Sequence, residues 1–428
     1  MIQKVDEYLF NKNFLIEKYK LKNGLGLIVM EDHSAPVFAY HTWFNVGSRN
    51  EKVGTTGIAH LFEHLMFKET KNTKEGEFDR VLEEQGGKIN AATYVDWTFY
   101  RESLPKEAFH LIPPLEADRM QHMILSQEQL DAERDVVMNE RRFRVDNSPS
   151  GSMYESLYST AFSKHSYHWP VIGWMEDIQR ISRDDCLNFY KTFYAPNNAT
   201  IVVVGDLNTK EVLEHIERSY ASIPSSTIPK QMIEVELPQE KERIVELHKE
   251  ISSEKFLIAY HVPNANHPDY HALEIAHCIL FDGRSARLQK ILVNEYELTT
   301  QVGGWVNQTK DPGLYIIDVT MNPGKNLETA LTHIDQEIER LWREEATDQE
   351  LEKAKNRIET SFWSHFRTVD DKAESLGFHE TVSSDFKNFF HEVPSLMKIT
   401  AKDVQRVAKQ YFQKNNRTIV KAYPKKTA

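Results

Sequence analysis

Residues 188–204, NFYKTFYAPNNATIVVV, recur in altered form as RVAKQYFQKNNRTIVKA at residues 406–422, an offset of 218 positions. Just upstream, ISRDDCLNFY (181–190) pairs with ITAKDVQRVA (399–408) at the same offset. Much earlier, IAHLFEH (58–64) pairs with IAHCILF (275–281) at an offset of 217. Separate matches at nearly one offset indicate an internal duplication.

The duplication predicts two homologous halves of about 210 residues each. We place them at residues 1–220 and 241–428, joined by a linker at 221–240 that contains three prolines and few apolar runs. In the first half, the sequence KNG at 22–24 is an Asn-Gly hairpin signal, and later stretches have helical patterns. Hairpins alternating with helices predict an α+β fold, in which each half is a largely antiparallel sheet packed with helices.

Composition excludes several classes of protein. The net charge of −12 leaves no basic surplus, so a nucleic-acid partner is not expected. No run of 18 apolar residues occurs, so a membrane span is not expected. The residues before position 20 lack the apolar region of a secretory signal. Only Cys186 and Cys278 are cysteines, which excludes a disulfide framework and favours a reducing compartment. We therefore predict a cytoplasmic protein, or a periplasmic one if a signal peptide was removed.

The stretch GIAHLFEHLMFKET, residues 57–70, predicts a helix over about 57–67 that carries a polar trio. His60 and His64 lie one turn apart, separated by about 40° around the helix axis, so both imidazoles can bind one ion. Glu63 lies within reach of that ion. The rest of the helix is apolar, and polar groups on such a helix are costly unless something satisfies them. The pattern HxxEH is the inverted zincin motif. The alternative is three solvated residues on an amphipathic helix.

A zinc site needs a further protein ligand, and the stretch DAERDVVMNERRF (131–143) offers one. Glu133, Val136, Val137 and Glu140 form one stripe of a predicted helix, and the two valines predict that the stripe faces the core. Glu140 is the candidate third zinc ligand. Glu133 is the candidate for orienting a ligand histidine from behind. The alternative is that both are solvated glutamates on a charged helix.

Three stretches together, GIAHLFEHLMFKET, GGKINAATYVDWTFY (86–100) and ERDVVMNE (133–140), resemble the pitrilysin family of zinc peptidases. Members of that family place the glutamate ligand 76 residues after the second histidine, which is the separation of His64 and Glu140. The resemblance covers nearly the whole chain, including its repeat. The length matches the half-size members, which form two-chain clamshells.

The resemblance implies a zinc-dependent metalloendopeptidase that hydrolyses peptides or small unfolded proteins. One Zn²⁺ per chain would be bound by His60, His64, Glu140 and a water molecule, with Glu63 as the general base.

The resemblance also implies a place for the substrate. Asn90 and Ala91 would lie on an edge strand to which the peptide adds as a further strand. The alternative is that Asn90 only caps a turn.

The second half departs from the family pattern. Members usually carry an Arg and a Tyr there, seven residues apart, whereas Val293 and Thr300 occupy those positions in this chain. Tyr296 is nearby in sequence but does not align with the position of the family's Tyr. We therefore expect the zinc-bearing subunit of a heterodimer, whose homologous partner chain supplies the Arg and the Tyr; a homodimer is the alternative. His277 is the repeat counterpart of His60, but Leu280 and Phe281 replace the other two motif residues, so the second half has no zinc motif. A non-catalytic structural subunit of a larger complex remains the alternative function.

Overall fold

The computed structural model describes residues 2–230 and 233–425 and divides the chain into two compact units. Each unit is assembled from three separate stretches of sequence. The first unit comprises Met1–Glu140, Trp169–Ile233 and Trp363–Phe390. The second unit comprises Arg141–His168, Glu234–Phe362 and His391–Ala428.

The first unit contains a seven-stranded sheet. Its strands are β1 (Gln3–Phe10), β2 (Phe14–Lys20), β3 (Gly26–Glu31), β4 (Val37–Phe44), β5 (Lys88–Thr93), β6 (Thr98–Pro105) and β7 (Ala199–Gly205). Their order is β1-β2-β3-β7-β4-β6-β5, and all neighbours are antiparallel except the parallel pair β3–β7. The Asn-Gly signal forms the β2–β3 turn, where Gly24 has a φ of 91° that favours glycine. Because β5 comes last in the strand order, this strand, which carries Asn90 and Ala91, is an edge strand of the described sheet.

The second unit contains a five-stranded sheet. Its strands are β8 (Arg243–Lys249), β9 (Lys255–Val262), β10 (Thr299–Val306), β11 (Gly313–Met321) and β12 (Arg417–Pro424). Their order is β10-β11-β9-β12-β8, with β12–β8 as the parallel pair. Read from the β5 edge, the sheet of the first unit begins β5-β6-β4-β7-β3. Counted along the chain from β3 in the first half and from β8 in the second, both sheets therefore place their third, fourth, second, fifth and first strands in the same order, so the sequence repeat is also a repeat of topology.

The described residues form fourteen α-helices. In chain order they are α1 (Ile58–Leu65), α2 (Glu77–Glu83), α3 (Ile112–His122), α4 (Gln127–Arg141), α5 (Pro149–Ala161), α6 (Met175–Arg180), α7 (Arg183–Phe193), α8 (Thr209–Tyr220), α9 (Tyr270–Phe281), α10 (Leu327–Arg343), α11 (Asp348–Ser364), α12 (Val369–Ser383), α13 (Asn388–Met397) and α14 (Ala401–Tyr411). None of these helices, within the part of the chain that the structure describes, is long and apolar enough to cross a membrane.

The repeat reaches individual hydrogen bonds. The side-chain nitrogen Nδ2 of Asn198 donates to the backbone carbonyl oxygen of Phe193 at 2.8 Å. Nδ2 of Asn416 donates in the same way to the carbonyl oxygen of Tyr411 at 2.8 Å. Helices α7 and α14 both begin with a capping box, formed by a hydroxyl residue and an aspartate three positions later. The Asn-Asn signature is therefore a device that ties the end of each of these helices to the strand that follows.

The two halves exchange one helix each. Helix α5, from the first half of the sequence, packs on β8, β9 and β12 in the second unit. Helix α12, from the second half, packs on β4 and β7 in the first unit. Nine of the fifteen residues of α12 are buried there, so the helix is a full layer of the first unit.

Polar bonds hold α12 in place. The ammonium of Lys372 pairs with the buried carboxylate of Asp32 on the loop after β3. The carboxylate of Asp370 lies 2.9 Å from Nε2 of His41 on β4 and 3.1 Å from the guanidinium of Arg101 on β6.

The α+β fold with two homologous, largely antiparallel sheets, predicted from the sequence, is confirmed by the structure. The division into 1–220 and 241–428 stays a prediction about the repeat, since the compact units also contain the exchanged helices. Within the proposed linker, residues 221–230 and 233–240 form neither helix nor strand apart from the last turns after α8, and residues 231–232 lie outside the described residues.

Candidate metal centre

Helix α1 presents the histidines of the HxxEH motif. It begins after Gly57, which has a φ of 89°, and a side chain at Gly57 would lie 2.5 Å from the carbonyl oxygen of Ile172. The buried carboxylate of Glu51 accepts hydrogen bonds from the backbone N–H groups of Gly57 and Ala59, at 2.9 and 2.8 Å. The apolar side of α1 is buried, and the helix packs against β5 and β6. Glu51 therefore satisfies N–H groups that the start of a helix leaves without partners.

Helix α4 presents the glutamates. Ser126 and Gln129 form a capping box at its start, with bonds of 2.9 and 3.1 Å. Glu133 and Val137 are buried on α4. The expectation that the whole stripe faces the core is wrong for Val136, which is 49% exposed. The stripe instead runs along the border between the core and the solvent, which leaves Glu140 partly exposed.

The two histidines and Glu140 converge on one point. Oε2 of Glu140 lies 3.7 Å from Nε2 of His60 and 3.5 Å from Nε2 of His64. One ligand atom from each of the three residues lies within 4.8 Å of the others, and this is the one such group of His, Cys, Asp or Glu found among residues 2–230 and 233–425. Two imidazole nitrogens and a carboxylate oxygen are the donor set of a catalytic zinc site with one position left for water. The donor chemistry of these residues therefore fits Zn²⁺.

Glu133 lies behind His64. Its Oε1 is 2.9 Å from Nδ1 of His64, and its Oε2 is 2.8 Å from the ammonium of Lys68. Burial raises the pKa of Glu133, but the bonds to His64 and Lys68 outweigh burial, and the pKa lies below its usual range. Burial also works against the imidazolium of His64, yet its bonds to Glu133 and Glu140 raise its pKa to about 9. An ionised Glu133 fixes the ring of His64 so that Nε2 faces Glu140.

Glu63 lies on the same helix, between the two histidines in sequence, and is partly exposed. Two buried phenols are close to it: burial is the main cause that raises the pKa values of Tyr100 and Tyr194, and the charge of Glu63 adds to both shifts. The hydroxyl of Tyr100 also donates to the carbonyl oxygen of Phe62 at 3.3 Å. The glutamate therefore stands at the border between a buried aromatic layer and the solvent, where a proton acceptor is accessible to water.

The structure places Asn90 and Ala91 on the edge strand β5, opposite Arg101 and Tyr100 of β6. Asn90 is exposed, and its side-chain oxygen accepts a bond of 2.9 Å from the N–H of Ala91. Because β5 ends the sheet, one side of its backbone has no neighbouring strand from the part of the chain that the structure describes. An extended peptide can pair with such an edge.

The described residues of the second half assemble no equivalent site. Nδ1 of His277 on α9 lies 3.2 Å from the hydroxyl of Tyr315, and Leu280 and Phe281 are buried. Burial lowers the pKa of His277, which favours the neutral ring. This histidine therefore belongs to the packing of the second unit.

The positions at which the family carries Arg and Tyr are occupied differently here. Val293 packs against the hydrophobic core of the second unit. The hydroxyl of Thr300 donates to the carbonyl oxygen of Thr320 at 3.3 Å. Tyr296 is 54% exposed, and its ring stacks on His333 with centroids 4.7 Å apart.

Two residues of this site, Lys68 and Glu51, were not singled out from the sequence. Lys68 follows His64 by four positions, so helical spacing was a signal for its nearness to the site. Glu51 gave no such signal, because it lies in a loop before the helix that it caps.

Two family models match the chain. Residues 27–173 match the model described as insulinase (peptidase family M16), and residues 180–358 match the model described as peptidase M16 inactive domain. The first match contains all three candidate zinc ligands, and the second begins after them.

Individual proteins extend the likeness over nearly the whole chain. Zinc protease PqqE of Helicobacter pylori is 34% identical over 409 residues, covering 94% of this chain and 92% of the relative. A probable mitochondrial-processing peptidase subunit beta of Arabidopsis thaliana is 22% identical, covering 92% of this chain and 75% of the relative. The crystal structure of a protease from Helicobacter pylori superposes with a TM-score of 0.92 at 33% identity, covering 96% of this chain and 99% of that one.

Proposed function

The chain belongs to the insulinase family, peptidase family M16, and from that premise we propose that it is a zinc-dependent metalloendopeptidase acting on peptides or small unfolded proteins. Relatives along nearly its whole length are named zinc proteases. The single observation that carries the proposal is that one ligand atom each of His60, His64 and Glu140 lie within 4.8 Å of one another, with Glu63 on the helix that carries the two histidines.

In the proposed mechanism, His60, His64 and Glu140 hold one Zn²⁺, which when bound acts as a Lewis acid and lowers the pKa of a water molecule. The carboxylate of Glu63 accepts a proton from the attacking water and later gives a proton to the amine that leaves. Glu133 accepts the hydrogen on Nδ1 of His64, so Nε2 is the ring nitrogen that loses its proton and supplies the lone pair when the metal binds.

The substrate in this proposal binds as an added strand along β5. Backbone groups of the strand, including those of Asn90 and Ala91, would pair with the peptide backbone and so recognise an extended chain with little dependence on its sequence. Support comes from the position of β5 at the sheet edge and its packing against α1, which brings the edge next to the metal ligands.

The test is a Glu63→Gln variant, with zinc content and peptide cleavage measured on the same preparation. We expect wild type and variant each to hold about one zinc per chain, and the variant to lose at least about 100-fold in the rate of peptide cleavage, since general-base catalysis contributes about 10²–10⁴-fold. Glu214→Gln on α8, an exposed glutamate on a helix that packs on α3 and β3, is the matched control and should leave cleavage unchanged.

Two outcomes would contradict the proposal. Wild-type protein without zinc after dialysis against Zn²⁺ would favour the alternative of a non-catalytic structural subunit. Full cleavage by Glu63→Gln would remove the base from the mechanism.

We further propose that the active enzyme is a heterodimer in which a homologous chain supplies an Arg and a Tyr. Val293 and Thr300 support this, since a valine has no donor and the short threonine already bonds to the backbone of its own sheet. The assay compares cleavage by the chain alone with cleavage after addition of a homologous chain of similar length that carries the Arg and the Tyr. Full activity of the chain alone would overturn this part of the proposal.

The cytoplasmic location stays a prediction. The two cysteines, Cys186 and Cys278, are both buried and free, which is compatible with a reducing compartment.

A further inference from the structure

We propose that Lys68 is a positioning residue of the metal centre, which acts through Glu133 on His64. The inference rests on the proposed zinc site and adds a residue to it. Lys68 would not touch the metal. Its effect would be to hold the carboxylate that holds the imidazole.

The contacts form a line from the lysine to the ligand. The ammonium of Lys68 lies 2.8 Å from Oε2 of Glu133, and Oε1 of the same carboxylate lies 2.9 Å from Nδ1 of His64. The opposite ring nitrogen, Nε2, is the one that faces Glu140 at 3.5 Å. Lys68 and the metal position therefore lie on different sides of the imidazole, with Glu133 between the lysine and the ring.

The chain places Lys68 there by its local fold. Helix α1 ends at Leu65, and the backbone then continues in turns, with N–H groups of Phe67 and Lys68 donating to the carbonyl oxygens of His64 and Leu65 at 3.1 and 3.0 Å. These turns carry Lys68 one turn past His64, onto the side where α4 presents Glu133. The position follows from the backbone and does not depend on a bound substrate.

Because Glu133 is buried, its ion pair with Lys68 helps to hold the carboxylate in place. The side chain of Glu133 is only 8% exposed, so its negative charge is poorly stabilised by water and depends on fixed partners. The bond from Lys68 lies inside this poorly solvated region and is charge-assisted, which makes it stronger than a neutral bond. Without Lys68, a buried carboxylate would keep its bond to His64 but lose the cation that fixes its second oxygen, and it would rotate more freely.

Lys68 has a second partner, which supplies a control. Its ammonium also lies 2.8 Å from Oε1 of Glu75, whose side chain is 52% exposed. Exposed ion pairs contribute little, so this second contact tethers the lysine only weakly. Glu75→Gln removes the ion pair between Lys68 and Glu75 and leaves the ion pair between Lys68 and Glu133 intact.

The test is the zinc affinity of the intact chain, measured by competition with a chromophoric chelator. Partners behind metal ligands typically contribute about 10–100-fold in metal affinity, and we expect that range for Glu133→Gln. Lys68 acts one contact further out, so we expect Lys68→Met to weaken zinc binding by about 5–10-fold. Lys68→Arg, which keeps a cation, should recover most of the loss, and Glu75→Gln should bind zinc as wild type does.

The double variant decides whether Lys68 acts through Glu133. On the Glu133→Gln background, Lys68→Met should cause no further loss of zinc affinity, because the carboxylate that it fixes is gone. An equal loss on both backgrounds would overturn the inference, as would wild-type affinity in Lys68→Met. If Lys68→Met does not fold, Lys68→Gln, which keeps a donor without the charge, replaces it in both comparisons.

Thermal unfolding of the zinc-free variants separates positioning from stability alone. A lower melting temperature with unchanged zinc affinity would assign Lys68 a structural role and overturn the inference. Failure of wild type to bind zinc would instead contradict the proposed function, so the two failures are distinguishable.

Discussion

Glu236 shows how a single carboxylate can fix a loop of the second unit. It accepts hydrogen bonds from three successive backbone N–H groups, those of Ser163, Lys164 and His165, at 2.9, 2.7 and 3.0 Å, and from the hydroxyl of Ser163. Burial raises the pKa of Glu236, but these bonds outweigh it and lower the pKa to about 2. The C-terminal part of the proposed linker is therefore anchored to the loop that follows α5.

This geometry predicts how stability depends on pH at Glu236. Because the folded-state pKa is depressed, its contribution is fully present above the unfolded value of about 4.5 and is lost as pH falls towards about 2. Glu236→Gln should lower the free energy of unfolding by about 1–2 kcal/mol at pH 7, a discounted value because the side chain is partly exposed. Urea unfolding at pH 7 and pH 3 measures it. The gap between wild type and variant should narrow at pH 3, and an equal gap at both pH values would contradict the prediction.

At the residue scale, the sequence identified the groups that local periodicity brings together. His60, Glu63 and His64 needed only the helical repeat, and the choice of Glu140 also needed the resemblance to a family. Helical spacing indicates that Lys68 lies near His64, but the contacts of Lys68 with Glu133 and of Glu236 with the 163–165 loop join residues at least 65 positions apart in sequence. Spacing along one helix carries no information about such contacts.

At the element scale, helix α12 comes unusually close to the sheet of the first unit. A Cβ atom at Gly377 would lie 2.0 Å from Nε1 of Trp43 on β4. The indole cannot retreat, because it is buried and stacked on Phe99 with ring centroids 4.3 Å apart and an interplanar angle of 5°. Glycine at this position lets the helix lie directly on the indole.

Gly377→Ala should therefore destabilise the protein. Overpacking typically costs about 1–3 kcal/mol, and the better helix propensity of alanine returns about 1 kcal/mol, so we expect a net loss of about 2 kcal/mol because the contact is so short. Gly303→Ala on β10 is the control, since a Cβ there meets nothing within 4 Å. Urea unfolding of the two variants measures the difference, and a Gly377→Ala protein as stable as wild type would refute the close approach.

The sequence predicted the elements near the site to within a few residues. The helix expected over 57–67 spans Ile58–Leu65, and the Asn-Gly hairpin signal at 22–24 lies in the turn between β2 and β3. The edge strand β1 and the exchange of α5 and α12 were not anticipated. Periodicity shows which face of a helix is apolar, but it does not show which sheet that face covers.

At the scale of the whole molecule, each sheet is completed by a helix from the other half of the chain. The first unit includes residues 363–390, and the second includes residues 141–168. A fragment that ends in the linker would lack α12 and leave the buried face of β4 and β7 open to water. Neither half of the sequence is therefore a complete folding unit.

A cleavage site placed in the linker tests this. We expect the two fragments of the folded, cleaved protein to stay together in size-exclusion chromatography, because α5 and α12 remain packed on their sheets. Residues 1–230 and 231–428 produced separately should bind a hydrophobic dye and be digested rapidly by protease, since each would expose an apolar sheet face. A separately produced half with a cooperative unfolding transition would contradict the prediction.

The position of α12 in the sequence also determines how late in translation the first sheet can be covered. The last strand of the first sheet ends at Gly205, whereas the helix that covers it ends at Ser383, 178 residues later. At about 5–20 residues per second, a ribosome needs roughly 10–35 s to make that stretch. Throughout that interval the nascent first sheet has one bare apolar face, so the growing chain would be a client for chaperones that shield such surfaces until translation is almost complete.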